Sequence, residues 1–124
     1  MKAEAQERIL IVEDDTPIRE SLQELLEDEG YLVEATANGQ EALDRLHALP
    51  ALPDLILLDL MMPVKDGFQF REEQRQDPAL ALIPIVIMSA DGNTQTKLKQ
   101  IDAFSYLKKP VDVDAVLEAV KRYA

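Results

Sequence analysis

Short apolar runs alternate with amphipathic stretches along the whole chain, and the alternation predicts five β–α units. Arg8 to Glu13 (R-I-L-I-V-E) holds four consecutive apolar residues rich in β-branching, the pattern of a strand covered on both faces. Thr16-Pro17 follows as a helix N-cap with proline at the first helical position. Ile18, Leu22, Leu25 and Leu26 then form one helical stripe, which Gly30 ends as a C-terminal cap. Tyr31 to Ala35 predicts a second strand, and Asn38 with Glu41 a capping-box start to a helix carrying Ala42, Leu43, Leu46 and Leu49. Pro50 and Pro53 bracket the next turn. Leu55 to Leu58 is a third strand ending at Asp59, and a loop leads to a helix from Gly67 to Gln76. Ile83 to Met88 predicts a fourth strand, with Pro84 tolerable only near its start. A weak helical stretch covers Thr94 to Ile101, Phe104 to Leu107 is the fifth strand, and Asp112 caps a last helix with Val113, Val116, Leu117 and Val120 on one side.

Alternation of this kind implies an α/β fold: a doubly wound five-stranded parallel sheet with helices on both faces. Right-handed crossovers favour the flavodoxin-like strand order 2-1-3-4-5. A length of 124 residues, 47% of them apolar, allows one domain over residues 1–124 and one packed core. The absence of cysteine excludes disulfides, thiolate nucleophiles and zinc knuckles, and a lone His47 excludes any mechanism that needs two imidazoles. A net charge of −11 repels phosphate backbones and anionic lipids, so direct nucleic-acid binding is not expected. The stretch Met1 to Glu7 is too polar for a signal peptide, and no apolar run approaches the roughly 18 residues of a membrane span, so a cytoplasmic location is expected.

Ligands of open α/β sheets sit beyond the carboxyl ends of the strands, at the switch point between strands one and three. Strand one ends in Glu13-Asp14-Asp15, strand three in Asp59, strand four in Ser89, and strand five in Lys108-Lys109-Pro110. Clustered carboxylates repel one another, and a hard divalent cation relieves the conflict. Magnesium suits, since it takes one or two carboxylates and keeps waters for phosphate oxygens. With the Lys109 ammonium and the Ser89 hydroxyl, the set would neutralise a transferred phosphoryl group, and a carboxylate could be its nucleophile. Each residue alone has a plainer reading: a solvated or helix-capping acid, a turn serine, a surface lysine. Those readings would have to coincide at four strand ends of one sheet. Asp15, Lys108 and Asp66 keep their structural readings, and His47 is expected to face solvent without a role.

At these residues the chain resembles the response-regulator receiver domains of two-component signalling, over nearly its whole length. The motifs are I-L-I-V-E-D-D at strand one, D-L-M-M-P-V-K-D-G from Asp59, I-P-I-V-I-M-S-A from Ile83 and Y-L-K-K-P from Tyr106. The resemblance implies that Asp59 is the phosphoacceptor and that Mg²⁺ is held by Asp14, Asp59, Glu13 through water, and the Met61 carbonyl. It implies that Ser89 and Lys109 hold phosphoryl oxygens, that Tyr106 is an aromatic switch, that Lys109-Pro110 is cis, and that Gly67 relieves a tight approach after Asp59. The donor would be a sensor histidine kinase or a histidine phosphotransfer protein. The response would be a change in the surface of the fourth helix, fifth strand and fifth helix, read by a downstream protein effector. Such a protein is a switch rather than an enzyme. With no DNA-binding domain following Ala124, output by contact is expected, in a stand-alone regulator or part of a longer one.

Three departures stand out. The interval from Ser89 to Lys109 is short, Gly92-Asn93-Thr94 starts the fourth helix weakly, and Arg71 and Gln74 stand in the third helix where apolar residues are usual. They leave the phosphorylation residues intact but make an altered or unusually mobile fourth helix the expected route of output. The rival readings are a receiver-like interaction module that is not phosphorylated, a flavodoxin-like electron carrier, and an aspartyl phosphatase. Glu13-Asp14-Asp15 would repel a flavin phosphate, and Met61 stands where a phosphatase would place its second acid.

Overall fold

The computed structural model describes residues 6–62, 64–90, 99, 101 and 103–124. Five strands, β1 (Arg8–Val12), β2 (Leu32–Thr36), β3 (Leu55–Asp59), β4 (Ile85–Ser89) and β5 (Ser105–Lys108), form one parallel sheet in the order β2-β1-β3-β4-β5, the order predicted from the sequence. Helices α1 (Thr16–Asp28), α2 (Gly39–Ala48), α3 (Gly67–Gln76) and a C-terminal helix (Val113–Tyr123) cover it.

The continuous apolar strands are buried on both faces because each face meets its own helical layer. Leu10, Val12, Ile56, Leu58, Ile85 and Ile87 point one way and pack with Ala42, Leu43 and Leu46 of α2 and Phe70 of α3. Ile9, Ile11, Leu55, Leu57, Val86 and Met88 point the other way and pack with Leu22 and Leu26 of α1 and Val116 and Val120 of the C-terminal helix. Each fully buried Leu or Ile contributes roughly 1.5–3 kcal/mol, so the two layers dominate stability.

Local chemistry sets the element ends. The N-cap of α1 is Asp15, whose Oδ1 accepts from the Ile18 N–H at 3.0 Å; Thr16 is the first helical residue, which corrects the expected Thr16 cap. Asp15 thus has the structural role of a helix cap. Gly30 follows α1 with φ +96°, a left-handed conformation that ends the helix as expected. Asn38 Oδ1 accepts from the Glu41 N–H at 2.8 Å, while Glu41 reaches back to the Ala37 N–H at 2.9 Å, one residue earlier than in a standard box. Asp66 and Gln69 close a complete box at α3. Asp112 caps the C-terminal helix through the Ala115 N–H at 3.2 Å.

Strands β2, β4 and β5 begin one or two residues later than their hydrophobic runs. For β4 the reason is specific: Pro84 has no N–H, and the Ile83 carbonyl is taken by the Gln74 side chain at 3.2 Å. The two departures in α3 are both buried and satisfied. Arg71 Nε donates to the Ile101 carbonyl at 2.8 Å and Nη1 to Gln74 Oε1 at 2.8 Å, while Gln74 Nε2 also donates to the Leu80 carbonyl at 2.8 Å. The helical stretch expected over Thr94 to Ile101, with its Gly92-Asn93-Thr94 start, lies outside the described residues apart from Lys99 and Ile101. Ile101 is buried in the same layer as Phe70, Ile83 and Ile85.

Candidate functional site

Parallel pairing brings the strand ends to one level. Val12 pairs with Leu58, Asp59 with Met88, and Ser89 with Lys108, so the residues at or just past those positions share one rim of the sheet. Glu13 is 0% exposed, Asp59 3% and Ser89 1%, burial that ionisable and polar side chains keep only when they are paired or hydrogen-bonded. Carboxylate oxygens of Glu13, Asp14 and Asp59 lie within 4.8 Å of one another, with Asp14 on the solvent side. Lys109 reaches across the end of β4, placing Nζ 2.7 Å from Glu13 Oε1 and 3.3 Å from Asp59 Oδ2. The Lys109 N–H donates to the Ser89 carbonyl at 2.9 Å, and the Lys109-Pro110 peptide is cis, as expected.

Three carboxylates face one ammonium, so the fully ionised cluster is two charges short of neutrality. Burial pushes the Asp59 carboxyl up to about 7, and the Glu13 charge adds to the rise; Lys109 opposes it, and a hydrogen bond shared with Asp14 favours the neutral form. For Lys109, burial favours loss of its proton, but pairing with Glu13 and Asp59 outweighs that and raises its pKa above the ordinary value. Glu13 Oε2 accepts from the Asp15 N–H at 3.2 Å. Glu13 Oε1 is buried; its approach to the Lys109 ammonium is an ion pair that lacks hydrogen-bond geometry, so the oxygen has no donor directed at it. A buried, unsatisfied oxygen within a set of hard carboxylate donors that needs two more positive charges fits Mg²⁺.

Behind Asp59 the loop turns tightly. The Gly67 N–H donates to the Leu60 carbonyl at 3.0 Å, and a Cβ at Gly67 would stand 2.8 Å from the Asp59 carbonyl oxygen and 2.8 Å from Leu60 Cα. Only glycine lets α3 start this close to the acceptor strand. The Met61 N–H lies 3.4 Å from Asp59 Oδ1, with its side chain exposed. Tyr106 already packs against the core, its hydroxyl donating to the Ser89 carbonyl at 3.3 Å. His47 is exposed as expected, yet it meets Asp77 at 3.1 Å and holds that carboxyl below its usual pKa.

One neighbour of the site was not singled out in the sequence. Arg19, one turn into α1, donates from Nη1 to the Glu13 carbonyl at 2.8 Å, and reaches the Asp14 carbonyl at 3.4 Å. Its sequence signal is weak: it is the lone basic residue of α1, among acids.

Comparison with known proteins gives a consistent result. Residues 9–121 match the family model described as response regulator receiver domain. The response regulator Rre1 of Synechocystis is 41% identical over 118 residues, covering 92% of this chain and 49% of Rre1. Sporulation initiation phosphotransferase F of Bacillus subtilis is 37% identical over 119 residues, covering 94% of this chain and 93% of that protein. Among solved structures, response regulator TrrA of Thermotoga maritima, in complex with Mg²⁺–BeF, superposes with a TM-score of 0.83 at 32% identity, covering 96% of this chain and all of TrrA. The chain thus spans about half the length of several curated relatives it matches and nearly all of one, the Bacillus protein.

Proposed function

The chain belongs to the response regulator receiver family, whose members act as phosphoacceptors in two-component signalling, and we propose that Asp59 is its acceptor. The observation that carries this reading is the convergence of Glu13, Asp14, Asp59 and Lys109 at one end of the sheet, with Asp59 buried at the end of the third strand in sequence. Glu13, Asp14, Asp59 and the Met61 carbonyl would hold Mg²⁺, as the carboxylate geometry and the unsatisfied Glu13 oxygen favour. Bound there, the ion would supply positive charge to the phosphoryl oxygens and keep Asp59 ionised.

The chain's own residues do the rest. A carboxylate oxygen of Asp59 forms the bond to phosphorus as the phosphorus–nitrogen bond of a donor phosphohistidine breaks. The leaving imidazole nitrogen keeps the electron pair and takes up a proton, becoming neutral histidine again. Lys109, already 3.3 Å from Asp59, keeps that carboxylate charged and meets a phosphoryl oxygen after transfer. Ser89, one strand over, offers its hydroxyl to another. The phosphoryl group carries up to about two negative charges in place of the single carboxylate charge it consumes, and so biases the equilibrium of the adjoining surface around β5 and the C-terminal helix. The donor in this reading is a histidine kinase or phosphotransfer protein, the reader a downstream protein, and the setting the cytoplasm; among the described residues no helix is long and apolar enough to cross a membrane.

Incubation with acetyl phosphate and Mg²⁺ tests the assignment. Intact-mass measurement is expected to show one added phosphoryl group on the wild type, none on Asp59→Asn, and none with the metal chelated. Equal labelling of wild type and Asp59→Asn would overturn it.

A further inference from the structure

Glu13 and Asp14 lie past the last paired residue of β1. The ladders to β2 and β3 both end at Val12, and although the Glu13 N–H still bonds the Thr36 carbonyl at 3.0 Å, the Glu13 carbonyl has passed beyond the paired strand. An unpaired carbonyl at the edge of a buried site needs a donor. Arg19 supplies it at 2.8 Å and extends to the Asp14 carbonyl at 3.4 Å, with Nη2 3.3 Å from Thr16 Oγ1. One planar guanidinium therefore fixes the peptide planes of the two successive residues whose carboxylates face Asp59. Its bonds to Glu13 and Asp14 go to their backbone carbonyls and not to their carboxylates, so they set direction rather than neutralise either acid. The Glu13 carboxylate is further held by the Asp15 N–H and by Lys109. Asp14 is the exposed member of the three, and its carbonyl is the second of the two that Arg19 reaches.

We propose that Arg19 is a positioning residue for the acidic site: by donating to the Glu13 and Asp14 carbonyls it fixes the turn that aims both carboxylates at Asp59, and so sets how tightly the chain holds Mg²⁺. The inference rests on the reading of these acids as the magnesium site. Groups that hold metal-ligating residues in place typically influence affinity by about 10–100-fold.

Two substitutions separate position from charge. Arg19→Gln removes a positive charge close to the site, so electrostatics alone predicts tighter Mg²⁺ binding. Loss of positioning predicts weaker binding, with the dissociation constant rising about tenfold. Arg19→Lys keeps the charge but loses the planar fork, and is expected to fall on the same side. The measurement is calorimetric titration of the metal-free protein with MgCl₂ at fixed ionic strength, beside the melting temperature with and without Mg²⁺. Support requires both variants to bind Mg²⁺ more weakly and to show a smaller Mg²⁺-induced rise in melting temperature, with metal-free melting close to wild type. Unchanged or tighter binding in Arg19→Gln would overturn the proposal. Loss of the fold in both variants would overturn it too, since Arg19 would then be structural. Failure of the wild type to bind Mg²⁺ would instead refute the underlying site.

Discussion

Asp59 carries two demands that conflict in the metal-free protein: burial suits a neutral carboxyl, and the nucleophilic attack proposed for it would need a charged one. Its folded-state pKa is raised from 3.8 to about 7, so folding favours the protonated form. The corresponding stability is fully present below about pH 4 and is lost as pH rises through about 7. In chelator, wild type is therefore expected to lose stability between about pH 4 and 7 relative to Asp59→Asn, whose side chain cannot ionise. By linkage the gap has an upper bound of about 4 kcal/mol. Denaturant midpoints of both proteins across that range check this, and parallel curves would show that the carboxyl is not perturbed. The identity of Asp59 was legible in the sequence because it ends an apolar run. Its tension with Glu13 and Lys109 was legible only through the strand order that brings them together. Arg19 was not, because a backbone-directed side chain leaves no motif of its own.

At the scale of elements, uniform apolar strands announce themselves but conceal their ends. In β4, buried on both faces, there is no alternation to mark where pairing starts, and the edge strands β2 and β5 are only partly buried, so each of the three begins one or two residues after its predicted start. In α3 the sequence showed two misfits, Arg71 and Gln74, without showing their partners. The partners are backbone carbonyls of Leu80, Ile83 and Ile101, brought near only by the fold. These bonds form one unit through the Arg71–Gln74 contact. Gln74→Leu would take the Gln74 donor from the buried Ile83 carbonyl and the Gln74 acceptor from Arg71 Nη1, and is expected to cost about 2–4 kcal/mol. Arg71→Met is expected to cost a similar amount, with the double variant losing about 1 kcal/mol or more less than the two single losses combined. Urea unfolding of the four proteins checks it; additive losses would mean that the two residues act separately.

For the molecule as a whole, sequence reading fared best, since chain order and crossover handedness leave few arrangements for five β–α units. The same sheet must also tolerate a net charge of −11 on 124 residues. Self-repulsion of that size is screened by salt. Raising NaCl from about 20 to 300 mM in chelator is expected to increase the melting temperature, and a flat or falling response would mean that the surface acids are already locally compensated. Lys109 joins this global balance to the local one. Rooted just past β5, it passes over the end of β4 to hold the ends of β1 and β3. Among the described residues Lys109 is thus the clasp that buckles the top of the sheet, and an anion arriving at Asp59 competes for its pin. Chemistry at the middle strand would then be felt first at the sheet's outer edge, because the edge is where the strap is sewn on.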